Sequence, residues 1–302
     1  MISVVLPACN EEAVIGAVLK DLEETLKALK EPYEIWVVND GSTDRTGDIA
    51  RRCGARVVDH PYNIGNGAAI KTGIRHSSGD KLIFMDSDGQ HDPREIPALL
   101  KALESYDMVV GARFDRSTGT VHRNLANRLY NALAGYVTGQ HIPDLTSGYR
   151  AVRAEVARKF LYLLPNTFSY PTTITLACFR AGHAVHYHPI QVRVRTGHSK
   201  IRLLTDGARF GLIILKIATF FAPFRIFLPL SLIAFAGGAA NYFYTYFTER
   251  RFTNMSALMF ITASLIFLLG LISDQIASLR FDRSEDLISR SNGSNSNPSQ
   301  GT

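Results

Sequence analysis

The sequence predicts an α/β domain built on a mainly parallel sheet, followed by a two-helix hairpin of membrane-spanning length. Three observations predict it. Up to about residue 203, short β-branched runs alternate with segments of helical period, the pattern of a parallel sheet with crossover helices. Beyond that point, residues 226–246 and 253–273 form two uncharged apolar runs, each close to the ~20 residues a helix needs to cross a bilayer. Carboxylates gather where the early apolar runs end, at the sheet edge where open α/β folds bind ligands.

The strands are expected at 3–6, 34–38, 55–58, 82–85 and 108–110. Residues Met1 to Pro7 carry neither a basic leader nor a long apolar core, so they read as a first strand rather than a signal peptide. Val14, Ile15, Val18, Leu19, Leu22, Leu26 and Leu29 recur at helical spacing and predict the first helix. A second helix is expected over 43–53, with Ser42 or Thr43 as its cap. Residues 121–137 read as a further helix whose stripe of Leu125, Leu129 and Leu133 packs inward. A later strand, 185–195, sets Val192 and Val194 against Arg193 and Arg195, so one face is apolar and the other cationic. Cys9, Cys53 and Cys178 lie too far apart for paired or zinc spacing and are expected as free thiols in a reducing compartment.

The net charge of +6 fits an anionic substrate, an anionic membrane surface or nucleic acid. No groove-like cluster of Lys, Arg and aromatic residues accompanies it, so nucleic acid is not an expected partner. The chain divides into an α/β domain at 1–202, an amphipathic juxtamembrane helix at 203–225, the hairpin at 226–273 and a tail at 274–302. The juxtamembrane segment mixes Leu, Phe and Ile with Asp206, Arg209 and Lys216, as an interfacial helix does. From Ser289 the tail is rich in Ser, Asn and Gly and is expected to be partly disordered. Lys200, Arg202, Arg209, Lys216 and Arg225 precede the hairpin, and Arg280, Arg283 and Arg290 follow it. They outnumber Arg250 and Arg251 in the joining loop, so the positive-inside rule puts the α/β domain and the tail in the cytosol.

Asp86-Ser87-Asp88-Gly89-Gln90 closes the apolar run at 82–85. Side chains alternate along a strand, so Asp86 and Asp88 would share a face where strand becomes loop. Two carboxylates that close repel each other unless a cation lies between them. The competing reading is a turn, because Asp-Gly is common turn chemistry. Pro7-Ala8-Cys9-Asn10-Glu11 and Asn39-Asp40-Gly41-Ser42-Thr43-Asp44 follow the first two strands. A carboxylate there can accept from a base N–H or a ribose hydroxyl, or it can cap a helix. Residues 63–73 are glycine-rich and nearly mimic two nucleotide-binding loops. A P-loop needs Gly directly before its Lys-Thr pair, and the dinucleotide fingerprint needs a third glycine. Ile70 stands at both places, which rejects the ATPase and dehydrogenase readings. His183, His186 and His188 have no carboxylate or cysteine nearby, so zinc is not expected. His91 reads as a loop histidine beside the acidic pair, within reach of a metal or a sugar hydroxyl.

These motifs are joined by Val110-Gly111-Ala112-Arg113, by the run from Asp144 to Arg150, and by the run from Arg195 to Lys200. In this order they resemble family 2 glycosyltransferases of the GT-A fold, a Rossmann-like nucleotide-sugar-binding domain. Within that family the chain is most similar to dolichol-phosphate mannose synthases and bacterial polyprenyl-phosphate hexosyltransferases. The resemblance spans about residues 2–220, and the two-helix anchor fits the bacterial branch. It implies that Pro7, Cys9, Glu11, Val38 and Asp40 hold the nucleoside. Asp86, Asp88 and Gln90 would hold Mg²⁺ or Mn²⁺ against the diphosphate, with Ser87 lying between the two carboxylates. Arg113, Arg195 and Lys200 would contact the diphosphate or the acceptor phosphate. Arg123, on the helix at 121–137, is a candidate for the lipid phosphate or else a solvated charge. Asp144 is a candidate for orienting the acceptor or else a turn cap. Tyr is usual in these synthases where Cys9 stands, so the base, guanine or uracil, stays open.

The activity implied is metal-dependent, inverting transfer of a hexose, mannose or glucose, from a GDP- or UDP-sugar to dolichyl or undecaprenyl phosphate. It would take place at the cytosolic face of a bacterial or archaeal plasma membrane. A phosphomonoester has a second pKa of about 6, so the acceptor is largely anionic at neutral pH and needs no strong general base. The leaving nucleoside diphosphate gains negative charge, which cations can offset. Membrane lipids, a second copy of the chain, a flippase and a downstream glycosyltransferase are the expected partners. One alternative is elongation of a lipid-linked or cell-surface polysaccharide. Processive synthases carry a Gln-x-x-Arg-Trp type motif, and the one tryptophan here, Trp36, sits in an early strand. The other alternative is a non-catalytic nucleotide-sugar sensor, against which the intact Asp-x-Asp argues.

Overall fold

Seven strands form one sheet in the order β3-β2-β1-β4-β6-β5-β7. They are β1 (Ile2–Ala8), β2 (Tyr33–Asp40), β3 (Arg56–His60), β4 (Lys81–Phe84), β5 (Met108–Ala112), β6 (Arg150–Arg153) and β7 (Val185–Pro189). The computed structural model describes residues 1–113, 121–166, 170–192 and 219–294, without the side chains of 121–127, 129 and 280–294. The chain falls into two compact units, Met1–Ile201 and Arg202–Thr302. β1 and β5 are buried along almost their whole length, as strands covered on both faces are. β1 runs parallel to both β2 and β4, with Val4 beside Ile35 and Ile83.

The sheet is mixed rather than simply parallel. β6 lies antiparallel between β4 and β5, with Arg150 opposite both Phe84 and Val110. Four residues, Arg-Ala-Val-Arg, carry no alternation that marks a strand in isolation; the neighbours on both sides complete it. β4 and β5 therefore still point the same way. The carboxyl ends of β1, β2, β4 and β5 share one edge, and the chain enters β6 at that same edge.

The helices cover the sheet: α1 (Ile15–Ala28), α2 (Thr46–Arg52), α3 (Asn66–His76), α4 (Ile96–Leu103), α5 (Val121–Thr138), α6 (Ala154–Lys159) and α7 (Tyr170–Arg180). α1 buries Ile15, Val18, Leu19, Leu22 and Leu26, each worth about 1.5–3 kcal/mol when fully removed from water. α2 starts three residues later than its composition suggests, at Thr46, whose N–H donates to Asp44 Oδ1 at 3.0 Å. Ser42 and Thr43 are instead hydrogen-bonded to Asn10. α5 packs inward through Tyr130, Asn131, Ala134 and Val137. Leu133 is only half-buried, and the side chains of Leu125 and Leu129 lie outside the described ones. β7 stops at Pro189, which cannot donate to a ladder. Val192 then makes an isolated antiparallel bridge with His91, and 193–195 lie outside the described residues, as do 203–218.

In the second unit, α8 (Phe224–Glu249) and α9 (Asn254–Ser294) form the hairpin. Each has a 26-residue stretch long and apolar enough to cross a membrane, Phe224–Glu249 and Asn254–Leu279. Small residues let the two helices approach. Gly238 lies against Met259 and Phe260, and Gly270 against Phe227. Ser256, Ala263 and Ala277 are buried. Near the turn, Asn241 donates to Ser256 Oγ at 3.0 Å and to Thr253 Oγ1 at 3.3 Å. Large apolar side chains such as Leu232, Ile233, Phe247 and Leu268 point outward. α9 continues helically to Ser294, beyond the composition change at Ser289. No proline interrupts 280–294, and the single glycine comes only at Gly293.

A Cβ on Gly73 of α3 would sit 2.1 Å from Val5 Cγ1 of β1. We expect Gly73→Ala to destabilise the domain by about 1–3 kcal/mol, the cost of overpacking. The double variant with Val5→Ala should lose less than the two single losses summed, as read by denaturant unfolding.

Candidate active site

The loops leaving β1 and β2 are tied together by their own motif residues. Asn10 sits at φ 58°, a conformation Asn tolerates better than most residues. Its backbone N–H donates to Ser42 Oγ at 3.0 Å, and its Oδ1 accepts from Thr43 N at 2.8 Å. Glu11 N donates to Thr46 Oγ1 at 2.8 Å, and Glu12 N to Asp44 Oδ2 at 3.1 Å. The loop after β4 joins them, because Ser87 Oγ donates to the Pro7 carbonyl at 2.8 Å. Much of the Asn-Asp-Gly-Ser-Thr-Asp motif thus positions the Pro-x-x-Asn-Glu loop. Sequence reasoning missed Asn10 as a site-building residue; its place inside the motif was the available signal.

Asp40 is buried at the end of β2, with its side chain 4% exposed. Its carboxylate accepts from Gly65 N at 2.9 Å and Ile64 N at 3.0 Å, and lies 2.7 Å from His60 Nδ1. His60 Nε2 in turn lies 2.9 Å from Thr72 Oγ1 on α3. Asp40 therefore anchors the glycine-rich loop. Gly41, at φ 67°, has no room for a side chain, since a Cβ would meet Asn63 N at 2.3 Å. Asn63 donates to Cys9 Sγ at 3.1 Å, which sets Cys9 beside the loop after β3. Pro7, Cys9 and Glu11 are half-buried on this edge, whereas Val38 is wholly buried within β2.

Asp86 and Asp88 follow β4 in a loop rather than in the strand itself. Both are half-buried, and Ser87 between them is buried. Gly89 sits at φ 75°, and Gln90 N donates to Asp88 Oδ1 at 3.1 Å, closing the turn. The metal-site and Asp-turn readings of this segment thus describe one loop. The loop entering β6 presses on Asp86, since a Cβ on Gly148 would lie 2.8 Å from its Oδ2. His91 is buried and stacked on Tyr149, with ring centroids 4.9 Å apart. Its Nδ1 accepts from Asp86 N at 3.3 Å, so the neutral ring carries its proton on Nε2. Burial lowers its pKa, against the opposing pull of Asp86 and Asp88.

Arg113 leaves β5 and meets Asp144. Nε donates to Asp144 Oδ2 at 2.7 Å and Nη2 to Oδ1 at 3.1 Å. The backbone N–H of Arg113 adds a third bond at 3.2 Å, and Thr146 N a fourth at 3.1 Å. Burial opposes the charge on both groups, but the pairing outweighs it: the Asp144 pKa is held below the usual carboxylate value and that of Arg113 is raised. Asp86 adds to the raise on Arg113. Asp144 is 7% exposed and Arg113 32%. Among the described residues, none bonds Arg113 Nη1. Arg195 and Lys200 lie outside the described residues, as does the side chain of Arg123.

The donor set suits a hard divalent ion. Two carboxylates one residue apart offer oxygen ligands only. Among the described residues no group of three or more His, Cys, Asp or Glu could form an all-protein cage. Mg²⁺ is commonly bound in this manner, through one or two carboxylates plus substrate phosphates. The 35% exposure of the Asp86 side chain, against 4% for Asp40, leaves it accessible to such a ligand.

Comparison with known proteins defines the class. The family model "Glycosyl transferase family 2" matches residues 3–161, and "GtrB C-terminal hairpin" matches 222–279. The chain belongs to glycosyl transferase family 2, and its class is that of a glycosyltransferase. It is 37% identical over 168 residues to the undecaprenyl-phosphate 4-deoxy-4-formamido-L-arabinose transferase of Edwardsiella ictaluri, covering 53% of this chain and 51% of that protein. It is 30% identical over 219 residues to the dolichyl-phosphate hexose transferase of Haloferax volcanii, covering 72% of this chain and 93% of that one. The chain thus spans about half the length of the formamido-arabinose transferase it matches. Among solved structures, glucosyl-3-phosphoglycerate synthase from Mycobacterium tuberculosis, in complex with Mn²⁺, UDP-glucose and phosphoglyceric acid, superposes with a TM-score of 0.58 at 26% identity. That match covers 72% of this chain and 79% of that one. These neighbours share the GT-A-like mixed α/β sheet.

A carboxylate with a lowered folded pKa contributes stability above its ordinary range and loses it as pH falls through the lowered value. We therefore expect Asp144→Asn to cost about 1–3 kcal/mol at neutral pH. The gap to the parent should close on acidification, as read by unfolding midpoints across pH.

Proposed function

We propose that this protein transfers a hexose from a nucleoside-diphosphate sugar, a GDP- or UDP-sugar, to a polyprenyl phosphate with inversion at the anomeric carbon. The observation that carries the reading is the Arg113–Asp144 pair beside the Asp86 loop. Asp144 is saturated by Arg113 and Thr146, so it does not serve as a proton acceptor. The acceptor phosphate is already anionic and attacks without a general base. Arg113, its fork fixed on Asp144, presents Nη1 to phosphate oxygens and offsets charge on the departing diphosphate. Asp86 and Asp88, with Gln90 as a third candidate, would hold Mg²⁺ or Mn²⁺, which supplies further positive charge against that leaving group.

Other residues keep the roles their motifs suggest. Pro7, Cys9 and Glu11 line the nucleoside end of the edge, with Asp40 shaping the loop that closes it. Arg195, Lys200 and Arg123 are assigned to the acceptor phosphate or the diphosphate. The polyprenyl acceptor is supported by the names of the relatives and by the apolar hairpin, which would keep the enzyme where a very apolar lipid resides. The balance of basic residues flanking the hairpin favours a cytosolic catalytic domain.

The test incubates membranes holding the full chain with undecaprenyl or dolichyl phosphate, Mg²⁺ or Mn²⁺, and a panel of GDP- and UDP-sugars. We expect a lipid-phosphate sugar with at least one donor, and its loss on chelation. Asp86→Ala, Asp88→Ala and Arg113→Ala should each lower kcat by about 10²-fold or more, the two aspartate variants at an unchanged unfolding midpoint and Arg113→Ala at a lowered one, because it leaves buried Asp144 without its cation. No product from any donor sinks the reading. Full activity in Asp86→Ala or Asp88→Ala sinks the metal assignment alone.

A further inference from the structure

The position of Asp144 rests on a residue outside every motif. Asn131 lies on the inner face of α5 and is 8% exposed. Its Nδ2 donates to the Pro143 carbonyl at 2.6 Å, and its Oδ1 accepts from Leu145 N at 3.2 Å. A single side-chain amide therefore spans the two peptide groups on either side of Asp144. Fixing both peptides fixes the direction in which the Asp144 side chain leaves the backbone, and hence the plane in which Arg113 is held. Only a side chain with a donor and an acceptor a few ångströms apart can do this. Leucine has the shape without the bonds, and aspartate has the acceptor without the donor.

The rest of the loop is held in the same manner from below. Arg150 is wholly buried. It donates through Nη2 to the Leu145 carbonyl at 3.2 Å and through Nε to the Ser147 carbonyl at 2.7 Å. Nη1 reaches Thr175 Oγ1 on α7 at 2.6 Å. Tyr130, next to Asn131, donates to Thr172 Oγ1 on α7 at 3.0 Å. α5 and α7 are thus joined to each other and to the loop, and Asn131 is the link that touches both flanks of Asp144.

We propose that Asn131 is a positioning residue, which sets the Asp144–Arg113 pair and through it the phosphate-binding part of the site. The proposal rests on the reading of Arg113 as a diphosphate contact. A side chain that merely filled the α5 interface would be replaceable by leucine without kinetic consequence. A positioning side chain would not be, and its effect would vanish once Arg113 is gone.

The test compares the parent, Asn131→Leu, Arg113→Ala and the double variant, all as full-length protein. For a supporting residue we expect kcat/KM to fall about tenfold or more in Asn131→Leu, chiefly in kcat, and segment 143–149 to exchange its amide hydrogens faster. On the Arg113→Ala background, Asn131→Leu should cost nothing further. Parent-like transfer by Asn131→Leu overturns the proposal, and so does a loss that persists in full without Arg113. If the leucine variant does not fold, Asn131→Asp asks the same question, since it keeps the acceptor toward Leu145 and loses the donor toward Pro143. If the parent transfers no sugar at all, the functional reading has failed. Hydrogen exchange at 143–149 then still decides the clamp: unchanged exchange overturns it, and faster exchange upholds it.

Discussion

Several carboxylates gather at one edge of the sheet, and the site follows from how they are accommodated. Asp40 comes from β2, Asp86 and Asp88 from the loop after β4, and Asp144 from the loop entering β6. Like charges that close are costly in a partly buried setting. Asp40 is offset by two backbone N–H groups and lies against His60. Asp144 is offset by Arg113. Both are almost wholly removed from solvent. Asp86 and Asp88 are half-buried, and the proposed divalent ion with its phosphate ligands would add to what offsets their charge.

The division of labour explains why the edge is so heavily cross-linked. A carboxylate buried against backbone N–H groups needs those groups held still, and the glycine-rich loop after β3 is held by Asp40 itself. The β1 and β2 loops are joined through Asn10, Ser42, Thr43 and Thr46. The β4 loop is joined to β1 through Ser87 and Pro7. His91 holds Asp86 from its backbone while Gly148 crowds its carboxylate. Preorganisation of this kind is what lets fixed charges stabilise a developing charge without first having to reorient.

Much of this was legible in the sequence, for local reasons. β1, β2, β4 and β5 are apolar runs, α1 has clear helical spacing, and each hairpin helix is built on a long uncharged run. The acidic loop after β4 could be found because an Asp pair directly follows a buried strand. What could not be read depends on contacts between distant segments. Arg113 and Asp144 are 31 residues apart, so no local pattern announces that they pair, whereas the turn-cap reading of Asp144 has a local partner in Thr146 N. Ser42 and Thr43 looked like caps because they precede a helix, but Asn10 claims them from another loop. β6 is too short to announce itself, and Asn131 is hidden in an amphipathic pattern that pointed to leucines. Val38 carried a nucleoside role by motif position, while its side chain is enclosed in the core.

The proposed transfer requires that Asp86 and Asp88 hold a divalent ion. Electron paramagnetic resonance of Mn²⁺, titrated onto the full chain with UDP or GDP present, measures that directly. We expect saturable binding by the parent and at least tenfold weaker binding by Asp86→Asn and by Asp88→Asn, at unchanged unfolding midpoints. Binding at parental strength in either variant would contradict that requirement.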